Sequence, residues 1–124
     1  MASDVLIVDD SAAIRKILAR VLQQTEVITG KIYEAGDGLQ ALEVMRENSI
    51  ALVLSDINMP NMDGLELLKE LRANDAWKSI PVVMITTEGS QAKVMEAVQA
   101  GASGYVRKPF TADQIKEKLL GLVS

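Results

Sequence analysis

Five short runs of apolar, mostly β-branched residues recur along the chain: DVLIV (4–8), KIYEA (31–35), ALVLS (51–55), IPVVMIT (80–86) and SGYVR (103–107). Most are apolar at consecutive rather than alternate positions, the pattern of strands covered on both faces. Between them lie stretches whose apolar residues recur at helical spacing: Ile14, Ile17, Leu18, Val21 and Leu22; Leu39, Leu42 and Met45; Leu65, Leu68 and Leu71; Val94, Ala97 and Val98; Ile115, Leu119 and Leu122. Each set makes one apolar stripe. Helix starts are marked by Asp37 with Gln40, Asp63 with Glu66 and Thr111 with Gln114. At that spacing an N-cap side chain and the residue three later satisfy each other's backbone amides. Parallel neighbours need a crossover connection and a helix supplies it, so the pattern predicts an α/β fold, a (βα)5 unit around a parallel sheet.

A chain of 124 residues without linker, repeat or low-complexity tract reads as one domain spanning 1–124. It stops just after the fifth helix, so no output domain is expected and any signal is expected to pass by contact. Acidic residues outnumber basic ones 17 to 13, and the lysines and arginines are scattered, which argues against a nucleic-acid partner. No apolar run approaches the ~20 residues of a membrane span, and MASD is not the start of a signal peptide, so a cytoplasmic protein without membrane attachment is expected. The absence of cysteine excludes disulfides, thiol nucleophiles and thiolate metal sites. The absence of histidine excludes an imidazole base, ligand or phosphoryl carrier. Any chemistry must use carboxylates, hydroxyls, lysines and a hard cation.

The polar residues fall where such chemistry would need them. Asp9 and Asp10 follow the first strand, Asp56 follows the third, Thr86 and Thr87 end the fourth, and Lys108 follows the fifth. In an open parallel sheet the carboxyl ends of all strands lie on one edge, where ligands bind at the point of order reversal. If the order is 2-1-3-4-5, the first and third strands are neighbours there, and Asp9, Asp10 and Asp56 converge. Three carboxylates that close cannot all ionise comfortably without a cation. A few oxygen ligands suit Mg²⁺, with water and phosphate oxygens completing an octahedron. A carboxylate nucleophile, Mg²⁺, a lysine and a hydroxyl donor are the parts of a phosphoryl-transfer site.

The DD pair, SDINMPNMDGLELL (55–68), the TT pair and GASGYVRKPFTA (101–112) together resemble the receiver domain of two-component response regulators, in particular the stand-alone chemotaxis regulators, over about Val5 to Leu120. The resemblance implies the flavodoxin-like order 2-1-3-4-5, for which chemotaxis regulators are a standard example. It also implies that Asp56 is the phosphoacceptor, taking a phosphoryl group from the histidine of a partner kinase. Asp10, Asp56 and the Asn58 carbonyl are then Mg²⁺ ligands, with Asp9 acting through a water. Lys108 pairs with the acceptor and then with the phosphoryl oxygens, and the Lys108–Pro109 bond is expected to be cis. Thr86 is the hydroxyl that bonds the phosphoryl group, and Tyr105 the aromatic that turns inward behind it, against a plainer reading of Tyr105 as an edge residue. Such a protein catalyses its own phosphorylation and dephosphorylation but acts chiefly as a switch.

The same resemblance implies a monomer whose target docks on the face of the fourth helix, fifth strand and fifth helix. A flagellar motor switch protein is the expected target, and a stand-alone phosphorelay intermediate the alternative role. Thr87 departs from the alanine or glycine usual after the switch hydroxyl; a branched side chain there is expected to narrow access to Asp56, or to share the hydrogen bond assigned to Thr86. Asn58 and Glu88 occupy positions that bias attack of water on the acyl phosphate. Two other classes fit less well. An aspartate-nucleophile phosphohydrolase would want an acid where Asn58 stands, and a flavin-binding module would want a Ser/Thr/Gly-rich first loop where DDSAA carries negative charge.

Overall fold

A computed structural model describes residues 4–25, 30–87 and 90–123. Five strands alternate with five helices: β1 (Val5–Val8), α1 (Ala12–Thr25), β2 (Ile32–Ala35), α2 (Gly38–Glu47), β3 (Leu52–Ser55), α3 (Gly64–Ala73), β4 (Val82–Thr86), α4 (Gln91–Gln99), β5 (Gly104–Arg107) and α5 (Ala112–Val123). The strands pair in parallel in the order β2-β1-β3-β4-β5. They begin one or two residues later than the apolar runs do, because Asp4, Lys31, Ala51, Ile80, Pro81 and Ser103 belong to the entering turns.

Burial on both faces explains the unbroken apolar runs. On one face Leu6, Val8, Val53 and Met84 pack with Leu42, Met45, Leu65, Leu68, Leu71 and Ala97 of α2, α3 and α4. On the other, Ile7, Leu54, Val83 and Ile85 pack with Leu18, Leu22, Ile115 and Leu119 of α1 and α5. Trp77, in the segment entering β4 at the amino end of the sheet, covers the first of these layers. The helical stripes are narrower than their spacing suggests. Ile17, Leu39 and Val98 are 48, 50 and 55% exposed, because each sits at the margin of the arc a helix can press against a sheet. Leu18, Ala41 and Ala97 take the inward positions beside them.

Two of the three helix starts form the reciprocal bonds their spacing predicts. Asp63 accepts from the Glu66 amide at 2.8 Å while Glu66 accepts from the Asp63 amide at 3.4 Å, and Thr111 and Gln114 exchange equivalent bonds at 3.1 and 2.8 Å. At α2 the pattern shifts. Asp37 Oδ1 accepts from the Gln40 amide at 2.9 Å, but Gln40 Oε1 accepts from the Gly36 amide at 2.8 Å. The Gln40 amide, with the Asn61 side chain as second donor, holds the buried Asp37 carboxyl below its ordinary value of 3.8 despite the opposing effect of burial.

The register places the site. Val8 pairs with Ser55, so the next residues, Asp9 and Asp56, leave the sheet side by side, and the Asp56 amide donates to Val8 O at 2.9 Å. The chain turns into α3 so tightly that a Cβ on Gly64 would lie 2.0 Å from Asp56 O. An exposed helical glycine replaced by alanine normally gains about 1 kcal/mol. Here Gly64→Ala is expected to lose roughly 3 kcal/mol in urea unfolding, because Asp56 must shift. Asp37→Ala is expected to cost about 1 kcal/mol at neutral pH. Because the folded carboxyl titrates below 3.8, its charge-dependent contribution is complete above that value and disappears as pH falls through the folded one. In urea titrations the gap between the wild type and Asp37→Ala should therefore be smaller in acid than at neutral pH.

Candidate functional site at the carboxyl edge of the sheet

Each acidic side chain is held by the turn that follows its strand. After β1, the buried Asp9 accepts from the Ser11 amide through Oδ1 at 2.9 Å, and its own amide donates to Ala35 O at 3.0 Å. After β3, the buried Asp56 accepts from the Ile57 amide through Oδ1 at 2.7 Å. Asp10 is exposed. One carboxylate oxygen from each of Asp9, Asp10 and Asp56 lies within 4.8 Å of the others. Residues from two loops some forty-six positions apart thus form one acidic cluster.

The cation that meets this cluster comes from the far end of the chain. Lys108, following β5, donates from Nζ to Asp9 Oδ2 at 2.6 Å and to Asp56 Oδ2 at 3.3 Å. Its side chain is only 12% exposed. Burial pulls the ammonium toward neutrality, but the bond to Asp9 and the charge of Asp56 outweigh that and leave its pKa above the ordinary lysine value. The Lys108 amide donates to Thr86 O at 2.9 Å, which ties the lysine to the end of β4, and the Lys108–Pro109 peptide bond is cis. Thr86 is fully buried and in register with Arg107. Tyr105, in register with Met84, is half-buried against the α2–α3–α4 layer. Asn58 and Thr87 are exposed, and Glu88 lies outside the described residues. Met59 and Met62, in the loop beside Asp56, pack onto the core.

One ammonium against three carboxylates leaves the edge net negative, and every available donor is a hard oxygen. That donor set fits Mg²⁺, which takes one or two carboxylates and fills its remaining positions with water and phosphate oxygens. Asp9, Asp10 and Asp56 each offer it one carboxylate oxygen.

Residues 5–120 match the profile of the response regulator receiver domain. The chain belongs to this family. Over 115 residues, 93% of this chain and 87% of the relative, the receiver is 44% identical to chemotaxis protein CheY-3 of Vibrio cholerae. It is 40% identical to a CheY homologue of Campylobacter jejuni, over 92% of this chain and 87% of that one. Among solved structures, CheY4 of Vibrio cholerae superposes with a TM-score of 0.87 at 35% identity, covering 100% of both chains. A CheY-like receiver from Methanospirillum hungatei gives 0.88 at 25% identity, over 99% of this chain and 94% of that one. Among the described residues of the receiver no helix is long and apolar enough to cross a membrane.

Two supports of the site escape a reading of the sequence. Arg15, on the first turn of α1, donates from its guanidinium to Asp9 O at 2.6 Å and to Glu34 Oε1 on β2 at 2.9 Å, so the acidic loop is fastened to the neighbouring strand. The available signal was a lone glutamate in the otherwise apolar strand IYEA. Asn61 is the second, bonded through Nδ2 to Asp37 Oδ2 at 2.8 Å, and only its positive φ of 65° hints at a special role.

Removing the lysine exposes what the cluster costs. Lys108→Met leaves two buried carboxylates facing each other without a counter-charge, a change expected to destabilise the metal-free receiver by about 2–3 kcal/mol at neutral pH. Urea unfolding with and without millimolar Mg²⁺ should show a larger gain from the cation in this variant than in the wild type. Equal gains would mean that ammonium and cation do not share the same negative field.

Proposed function

We propose that this receiver is a phosphorylation-activated switch in which Asp56 accepts a phosphoryl group from a histidine kinase and the modified protein changes its affinity for a partner. The observation that carries the reading is the convergence of Asp9, Asp10 and Asp56 around Lys108. In the reaction an Asp56 carboxylate oxygen attacks phosphorus, a P–O bond forms, the P–N bond to the donor imidazole breaks, and that imidazole keeps the electron pair and takes a proton. Mg²⁺, when bound, neutralises charge on the non-bridging oxygens of the transferring group. Lys108 holds Asp56 in place beforehand and presents its ammonium to the phosphoryl group afterwards. Ile57 N–H, bonded to Asp56 Oδ1, keeps the carboxylate from rotating.

The product is a dianionic group with three strong acceptor oxygens at the ends of β3 and β4. In this reading the Thr86 hydroxyl is drawn to it, with exposed Thr87 beside it narrowing entry for bulky donors and Glu88 and Asn58 setting the rate at which water hydrolyses the acyl phosphate. Movement at Thr86 frees room for Tyr105, which with Arg107, Gln114 and Lys118 borders a groove of about 610 Å³ between β5 and α5. Met95 and Val98 on the adjoining α4 are half exposed, so the face formed by α4, β5 and α5 offers apolar and charged contacts. The chemotaxis names of its relatives support a role in chemotaxis, and the partner in this reading is a flagellar motor switch protein met by a cytoplasmic monomer.

Incubation of the receiver with Mg²⁺ and a small acyl phosphate is expected to add one alkali-labile phosphoryl group, seen by intact mass. Asp56→Asn should abolish it. Uptake by that variant at the wild-type rate would overturn the assignment, and multiple turnover on simple phosphoesters would favour a phosphohydrolase instead.

A further inference from the structure

The loop between β3 and α3 starts at Asp56, and at its far end the Gly64 amide donates to Ile57 O at 2.8 Å. Its tip is held by a different element. Asn61, in the left-handed region at φ 65°, donates from Nδ2 to Asp37 Oδ2 at 2.8 Å. Next to it the Gly38 amide donates to Met62 O at 3.0 Å. The Met62 side chain fills the space that a Cβ on Gly38 would occupy, at 2.5 Å. Asp37 is therefore not only the cap of α2. It is 5% exposed, and its two oxygens are divided between the helix, through the Gln40 amide, and the loop, through Asn61.

We infer that Asp37 and Asn61 are positioning residues for the cation site, acting from the start of α2 to fix the loop that carries the Asn58 carbonyl. This rests on the reading that Mg²⁺ binds at Asp10, Asp56 and Asn58. The physical reason is reach. Asn58 is three residues from Asn61 and two from Asp56, so a tether at Asn61 limits where the intervening carbonyls can point. A small, strongly hydrated ion needs near-ideal octahedral geometry, so a loop that must be ordered as the ion arrives binds it more weakly than one already ordered. Outer partners of ligating groups commonly change metal affinity by 10–100-fold when removed.

The test separates tether from cap. Asn61→Gly removes the side chain but tolerates the positive φ, and Asp37→Ser keeps an oxygen for the Gln40 amide while losing the carboxylate oxygen that Asn61 uses. Calorimetric titration of each protein with MgCl₂ alone gives the affinity, and thermal unfolding without Mg²⁺ gives the structural effect. Both variants are expected to bind Mg²⁺ on the order of tenfold more weakly while still unfolding cooperatively, and Asn61→Gly should unfold within a few degrees of the wild type. Wild-type affinity in Asn61→Gly, with the wild type itself binding Mg²⁺, would overturn this inference and leave the proposed function standing. Failure of the wild type to bind at millimolar Mg²⁺ would overturn both.

Discussion

The Lys108 ammonium between Asp9 and Asp56 is the interaction on which the site depends. Two unit charges about 5 Å apart repel by roughly 3 kcal/mol at an effective dielectric constant near 20, and the receiver brings three carboxylates to within 4.8 Å of one another. Lysine offsets part of that repulsion and leaves the rest. In the proposed function, what remains attracts a divalent cation and, with that cation, a phosphoryl group. Without that counter-charge the same carboxylates would push the loops apart. Lys108 follows β5, so the arrangement is complete only when β5 has paired with β4.

Everything near the edge serves to hold this arrangement in place. Parallel pairing puts the ends of β1 and β3 level, and Gly64 lets the chain turn onto Asp56 without a side chain in the way. Arg15 fastens the carbonyl of Asp9 to Glu34 on β2. The start of α2 grips the tip of the loop that follows Asp56. The core beneath is conventional in chemistry, with Leu, Ile, Val and Met on both faces of the sheet, and it provides the stiffness against which charge repulsion can be stored.

Much of this was legible in the residues. Consecutive apolar positions marked buried parallel strands, cap spacings marked helix starts, and the polar residues after the first, third and fifth strands marked the edge. Resemblance supplied the strand order. The misses have physical causes. Ile17, Leu39 and Val98 lie at the margin of stripes whose width depends on how each helix sits, which spacing alone does not fix. The Gln40 side chain accepts from the Gly36 amide, one residue upstream of the Asp37 amide that its spacing predicts. Arg15 and Asn61 reach partners nineteen and twenty-four positions away through side-chain hydrogen bonds, and such contacts leave no periodic trace.

The most direct measurement of the account locates the phosphoryl group and its dependence on the cation together. The receiver would be treated with an acyl phosphate in the presence or absence of Mg²⁺ and reduced with borohydride, which converts an aspartyl phosphate to homoserine, and its peptides would be sequenced by mass spectrometry. Homoserine is expected at position 56 alone, and only when Mg²⁺ is present. Homoserine at Asp9 or Asp10, or equal conversion of Asp56 without the cation, would contradict it.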